Sequence, residues 1–157
     1  MSATSYDLND TMDAPRFVMS LLTVDEFTRF WPQIESMLDT VPHTWDRWTK
    51  EFIYERVAED KMQVWGIGPP PRMIFVFITT VCIFPAKRVL SVEWGAGSFE
   101  PGMLPLLKET LSNYGRMNGC SELEVKGRRG WGPMFKSIGM EHKHEMWSLP
   151  IEQISLN

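Results

Sequence analysis

Between residues 89 and 151 the chain reads strand, helix, strand, helix, strand, and this alternation constrains the fold more than any other feature. Residues 89–94 are an apolar, β-branched run suited to a strand. Residues 102–118 place Leu104, Leu107, Leu111 and Tyr114 on one helical face, and Gly119 supplies a C-terminal stop. A short strand at 123–125, a short helix at 131–138 stopped by Gly139, and a strand at 144–149 complete the series. Strands alternating with helices bury their apolar sides against a shared sheet. The expected class is therefore α/β (α+β), a mixed central sheet with helices on both faces.

Upstream, residues 17–22 suit a first strand, and Thr23 with Glu26 forms a capping-box pattern that opens a helix to about residue 38. Val24, Phe27, Phe30, Trp31, Ile34 and Leu38 give that helix its apolar face, and Pro42 breaks the pattern. A second helix is expected at 44–59, carrying Trp45, Trp48, Phe52 and Val57, followed by an edge strand at 62–67. Gly68-Pro69-Pro70-Pro71 must be a loop, because proline lacks an amide donor and fixes φ. Residues 73–84 read as a central strand buried on both faces, and the connection at 85–88 fits an antiparallel hairpin. Phe75, Phe77, Val81, Leu107, Leu111, Val125 and Ile138 are expected between sheet and helices.

With 157 residues, 43% of them hydrophobic, the chain suits one domain at 15–151 between a polar arm at 1–14 and a tail at 152–157. The net charge of -4 is spread along the sequence without a basic stripe, which disfavours direct nucleic-acid binding. Cys82 and Cys120 have no ligand spacing and read as buried free thiols. His142 and His144 alternate on one strand face, but no cysteine or acid pattern completes a metal site, and His43 stands alone. Residues 1–13 lack the basic start and apolar core of a signal peptide, and no apolar run reaches the ~18 residues of a membrane span.

The order of these elements, with Gly119-Cys120, Leu123-Glu124-Val125 and Ile138-Gly139-Met140 at their spacing, resembles the C-terminal half of the GNAT N-acetyltransferase superfamily. The resemblance implies a fourth strand that splays from the fifth, with the pantetheine of acetyl-CoA in the gap. It implies contacts to that group from Trp94, Gly95, Ala96, Gly97 and Gly102, and a general base at Glu93.

Several positions depart from the family pattern. The loop that should wrap the pyrophosphate with an Arg/Gln-x-x-Gly-x-Gly/Ala motif reads Gly97-Ser98-Phe99-Glu100-Pro101-Gly102, where only Gly102 matches well. Glu100 brings a carboxylate, and Pro101 and Pro105 lack amide donors. The same residues also read as an ordinary helix start, since acids and prolines favour the first turn, and this reading is preferred. Setting Gly139 on the family's glycine puts Phe135 on the position of a proton-donating tyrosine and Arg128 near an asparagine. This loop predicts acetyl-CoA binding no tighter than roughly millimolar, about 4 kcal/mol.

Arg128-Arg129-Gly130-Trp131 combines cationic and stacking groups at a strand end, and Arg128, Arg129 and Trp131 are candidate interface residues. Arg-Gly-Trp before a short helix resembles small GNAT-like proteins of tailed bacteriophages. That resemblance implies a non-catalytic virion or assembly component with no cofactor, acting in the host cytoplasm or the virion. Its partners would be other virion or assembly proteins, or further copies of itself. The alternative is an acetyl-CoA-dependent N-acetyltransferase with a divergent cofactor loop.

Overall fold

A computed structural model describes residues 17–41, 48–126, 131–143 and 148–151. The arm at 1–14, the tail at 152–157, Pro42, His43, Trp45, Arg128, Arg129 and His144 lie outside the described residues. The chain divides into two compact units, Met1–Gly127 and Arg128–Asn157.

In the first unit the capping box forms as the sequence predicts. Thr23 Oγ1 accepts from the Glu26 amide at 3.1 Å, and Glu26 Oε1 accepts from the Thr23 amide at 3.0 Å. Helix α1 (Val24–Asp39) follows and buries Phe27, Ile34 and Leu38. Helix α2 (Lys50–Ala58) begins later than expected. Thr49 is its N-cap, in extended conformation, with its hydroxyl accepting from the Phe52 amide at 3.1 Å. A threonine that satisfies an otherwise orphaned amide fixes the first turn at its own position.

The sheet runs β1 (Met19–Leu21), β2 (Met62–Ile67), β3 (Phe75–Ile83), β4 (Arg88–Gly97) and β5 (Glu122–Val125), in that spatial order. The first three pairings are antiparallel and β4–β5 is parallel, with helix α3 (Met103–Met117) as the crossover that a parallel pair requires. The expectation of an edge strand at 62–67 is corrected: β1 lies outside β2, and all six β2 residues are buried. A strand covered on both faces is apolar without alternation, so its sequence does not tell edge from interior.

Helices α1 and α2 cover one face, packing Phe27, Ile34, Leu38, Ile53 and Val57 on Val64, Val76 and Ile78. Helix α3 covers the other, packing Met103 and Leu111 on Ile67, Phe75, Phe77, Leu90 and Val92. Val81, Leu107 and Val125 are half-buried against this second core. Within it, Trp65 Nε1 donates to Thr79 Oγ1 at 2.9 Å, and that hydroxyl donates to Gln63 Oε1 at 2.8 Å.

The second unit contains Trp131 and helix α4 (Gly132–Ser137). Gly139, at φ +89°, ends the helix, and the amides of Gly139 and Met140 return to the carbonyls of Lys136 and Phe135. Ile138 is half-buried in this unit. The expected last strand is absent over residues 148 and 149, where Leu149 is exposed.

Candidate functional site

The feature that organises a site is a fork in the sheet. Strand β4 pairs with β5 only from Val89 to Val92, and the Lys126 amide closes that ladder on the Val92 carbonyl at 3.4 Å. From Glu93 to Gly97, β4 runs on with β3 as its ladder partner, and no register places β5 beside it. Glu93 marks the branch. Thr79 pairs with Val92 and Ile78 with Trp94, so Glu93 is the extra residue of a β-bulge.

Beyond the bulge, the Ser98 amide donates to the Ile74 carbonyl at 2.9 Å, which turns residue 98 toward β3. Main-chain groups alternate along a strand, so Gly97 and Gly95 present theirs to the open edge. Both positions require glycine. A Cβ on Gly95 would lie 2.7 Å from Phe75 Cζ, and one on Gly97 would lie 2.3 Å from the Ile74 carbonyl oxygen, at φ +112°.

At the branch, Lys126 Nζ donates to both carboxylate oxygens of Glu93, at 3.1 and 2.9 Å. The Glu93 side chain is 8% exposed and that of Lys126 55%. Nearby, burial raises the Cys82 thiol above its ordinary pKa, and the Glu93 carboxylate adds to the shift. Ser91 is fully buried on β4, and its hydroxyl has no hydrogen-bond partner. Trp94 packs edge-to-face on Trp48 with centroids 5.4 Å apart, and Ala96 is buried in the same core.

The loop from β4 into α3 is closed on itself. Gly102 is the N-cap of α3, the Met103 amide donates to the Glu100 carbonyl at 2.9 Å, and the Leu104 amide to the Pro101 carbonyl at 3.2 Å. The Glu100 amide meets Met103 Sδ at 3.4 Å. The Phe17 ring covers Gly102, 3.0 Å from where a Cβ would sit.

The fork thus gathers Glu93, Trp94, Gly95, Ala96 and Gly97 in sequence along one strand, with Gly102 at the helix start. Trp131, 37% exposed, packs edge-to-face on Phe135 in the second unit. Sequence reasoning missed Lys126 as the partner of Glu93 and missed the bulge, both of which depend on strand register. An open depression of about 440 Å³, lined by Leu21, Trp65, Asn113, Tyr114 and Met117, involves β1 and β2 rather than the fork. Among the described residues no cluster of His, Cys, Asp and Glu could hold a metal, and no helix is long and apolar enough to cross a membrane.

No protein-family model matches the chain, and no curated protein matches it. Solved structures do. An aminoglycoside acetyltransferase from an uncultured soil metagenomic sample, in complex with trehalose, superposes with a TM-score of 0.68 at 10% identity, covering 87% of this chain and 97% of its own. A ribosomal-protein-alanine N-acetyltransferase from Brucella melitensis gives 0.61 at 13% identity over 85% and 99% of the two chains. A predicted acetyltransferase from Clostridium acetobutylicum, solved with acetyl-CoA, gives 0.60 at 11% identity over 85% and 96%. With a mixed five-stranded sheet that parts between its fourth and fifth strands and helices on both faces, the chain has the GNAT-like acetyltransferase fold.

Proposed function

We propose that the chain is an acetyl-CoA-dependent N-acetyltransferase whose donor lies along the open edge of β4. The observation that carries this reading is the main chain at Gly95 and Gly97, which no strand among the described residues pairs on its outer edge, next to a carboxylate at the branch. An exposed strand edge offers alternating donors and acceptors, which suit the amides of a pantetheine arm. Bound there, acetyl-CoA would supply an acetyl thioester to an acceptor amine. Structural likeness to acetyltransferases supports the assignment at the level of fold.

In this reading Glu93 takes the proton from the amine, directly or through one water. Lys126 holds the carboxylate in place until the acceptor arrives. Tyr54 and Tyr114 are engaged elsewhere, the first donating to Thr28 Oγ1 at 3.2 Å and the second packed edge-to-face on Trp65. The departing thiolate takes its proton from water.

Calorimetric titration of the full chain with acetyl-CoA, followed by thiol release with a panel of amines, tests the proposal. Weak saturable binding is expected, with turnover that Glu93→Gln lowers by about 10²-fold or more while binding persists. Absence of binding at millimolar concentration would defeat it and favour the non-catalytic reading. In that case virion or assembly partners, or further copies of the chain, become the ligands to test, with Arg128, Arg129 and Trp131 as candidate contacts.

A further inference from the structure

We infer that the donor site recognises a pantetheine thioester and makes little use of the nucleotide end of coenzyme A. This rests on the donor reading of the β4 edge given above.

The first amides of a helix have no intrahelical partner, which is what makes a helix start an anion site. In α3 those donors are withdrawn one by one. The Met103 and Leu104 amides turn back on the carbonyls of Glu100 and Pro101, and Pro105 and Pro101 have no amide. Before the helix, the Ser98 amide is spent on Ile74 and the Glu100 amide on Met103 Sδ. The Phe99 and Gly102 amides are left, and the Phe17 ring lies over Gly102. No lysine or arginine occurs between Glu93 and Leu107, and the loop itself carries the carboxylate of Glu100.

A pyrophosphate needs several convergent donors or cations to offset its desolvation. The strand edge, by contrast, is open and lined by two glycines. The two halves of a coenzyme A site therefore disagree in this chain: the part that would hold the neutral arm is intact and the part that would hold the charged nucleotide is not. The donor chemistry that fits is an acyl group on pantetheine, either as a small thioester or on the phosphopantetheine arm of a carrier protein.

The test compares three donors on the full chain: acetyl-CoA, S-acetyl-pantetheine and an acetyl-phosphopantetheinyl carrier protein. Affinity is read by calorimetry and contact by amide shifts at Gly95 and Gly97. Acetyl-CoA and S-acetyl-pantetheine are expected to bind within about threefold of each other, to move the same two glycine amides, and to keep their ratio when salt is raised. Replacing Glu100 and Pro101 by glycine together should strengthen acetyl-CoA binding and leave S-acetyl-pantetheine unchanged. A carrier-borne donor that binds tighter than the free thioester identifies the carrier as the source, and equal affinity identifies the small thioester. Acetyl-CoA binding more than tenfold tighter than S-acetyl-pantetheine, with a salt-sensitive difference, would overturn the inference while leaving the donor site standing. If none of the three binds, the donor reading itself fails.

Discussion

Lys126 closes both oxygens of the Glu93 carboxylate at the point where β4 and β5 part. The pair is asymmetric, because the carboxylate is nearly covered and the ammonium is largely in water. Removing either partner should therefore have different consequences. Lys126→Ala strands a covered carboxylate and is expected to cost about 1 to 3 kcal/mol. Glu93→Gln lets the lysine return to solvent and should cost no more than about 1 kcal/mol. Denaturant unfolding of the two variants checks the order, and equal losses would contradict it.

Ser91 offers a test of opposite sign. Its buried hydroxyl lacks a partner, so Ser91→Ala should stabilise the fold by roughly 1 kcal/mol. A measurable loss of thermal stability would mean that the hydroxyl is satisfied in solution.

Two glycines separate conformational strain from steric conflict. Gly97 and Gly139 both sit at positive φ, but a Cβ at 97 meets the Ile74 carbonyl while one at 139 meets nothing within 4 Å. Gly139→Ala should cost only the backbone term, about 1 to 2 kcal/mol. Gly97→Ala should cost clearly more and also shift Ile74 amide resonances. Similar losses at both sites would argue against the close approach of β4 to Ile74.

The thiols set an alkaline limit. Burial raises the pKa of Cys82 and of Cys120 above the ordinary value, so the folded state holds its thiol protons more tightly than the unfolded chain. Stability from this source is fully present below the unfolded thiol pKa of about 8.5 and is lost as pH rises through the folded values. Thermal scans from pH 7 to 10 should show a decline that the Cys82→Ala, Cys120→Ala double variant reduces. Iodoacetamide should also react more slowly with either thiol than with free cysteine at pH 8.5.

In the core, Phe77→Ala should cost about 3 to 5 kcal/mol, since the ring is fully buried between β2, β4 and α3. Thr79→Val should cost about 1 to 3 kcal/mol by orphaning Trp65 Nε1 and Gln63 Oε1 together. An unchanged midpoint for either variant would contradict the packing described.

What could be read from the sequence was whatever depends on near neighbours along the chain. The Thr23–Glu26 box, the proline loop after Ile67, the hairpin before β4 and the glycine stops at Gly119 and Gly139 are local, and each stands where its residues place it. The start of α2 differs because the cap at Thr49 lies inside the stretch that the tryptophan spacing assigns to the helix. The interior position of β2 is not legible because a strand buried on both faces carries no alternation that tells edge from interior. At the site, the residue types along β4 were legible, but the bulge at Glu93 and its pairing with Lys126 arise from register between strands far apart in sequence. The spent amides of α3 were half legible, through Pro101 and Pro105. Those of Met103 and Leu104 depend on how tightly residues 100–104 turn, which residue types alone do not dictate.

The partial pairing of β4 also divides one strand between two lifetimes. Val92 sits in ladders on both sides and should open only with the sheet, whereas Gly95 and Gly97 face an edge that no strand among the described residues protects. Amide exchange along β4 would then be slow up to the bulge and alternate beyond it, fast at Gly95 and Gly97 and slow at Trp94 and Ala96, which face β3. A molecule that seats itself on that edge would reveal its footprint as newly slow hydrogens at the two glycines, before any reaction is known.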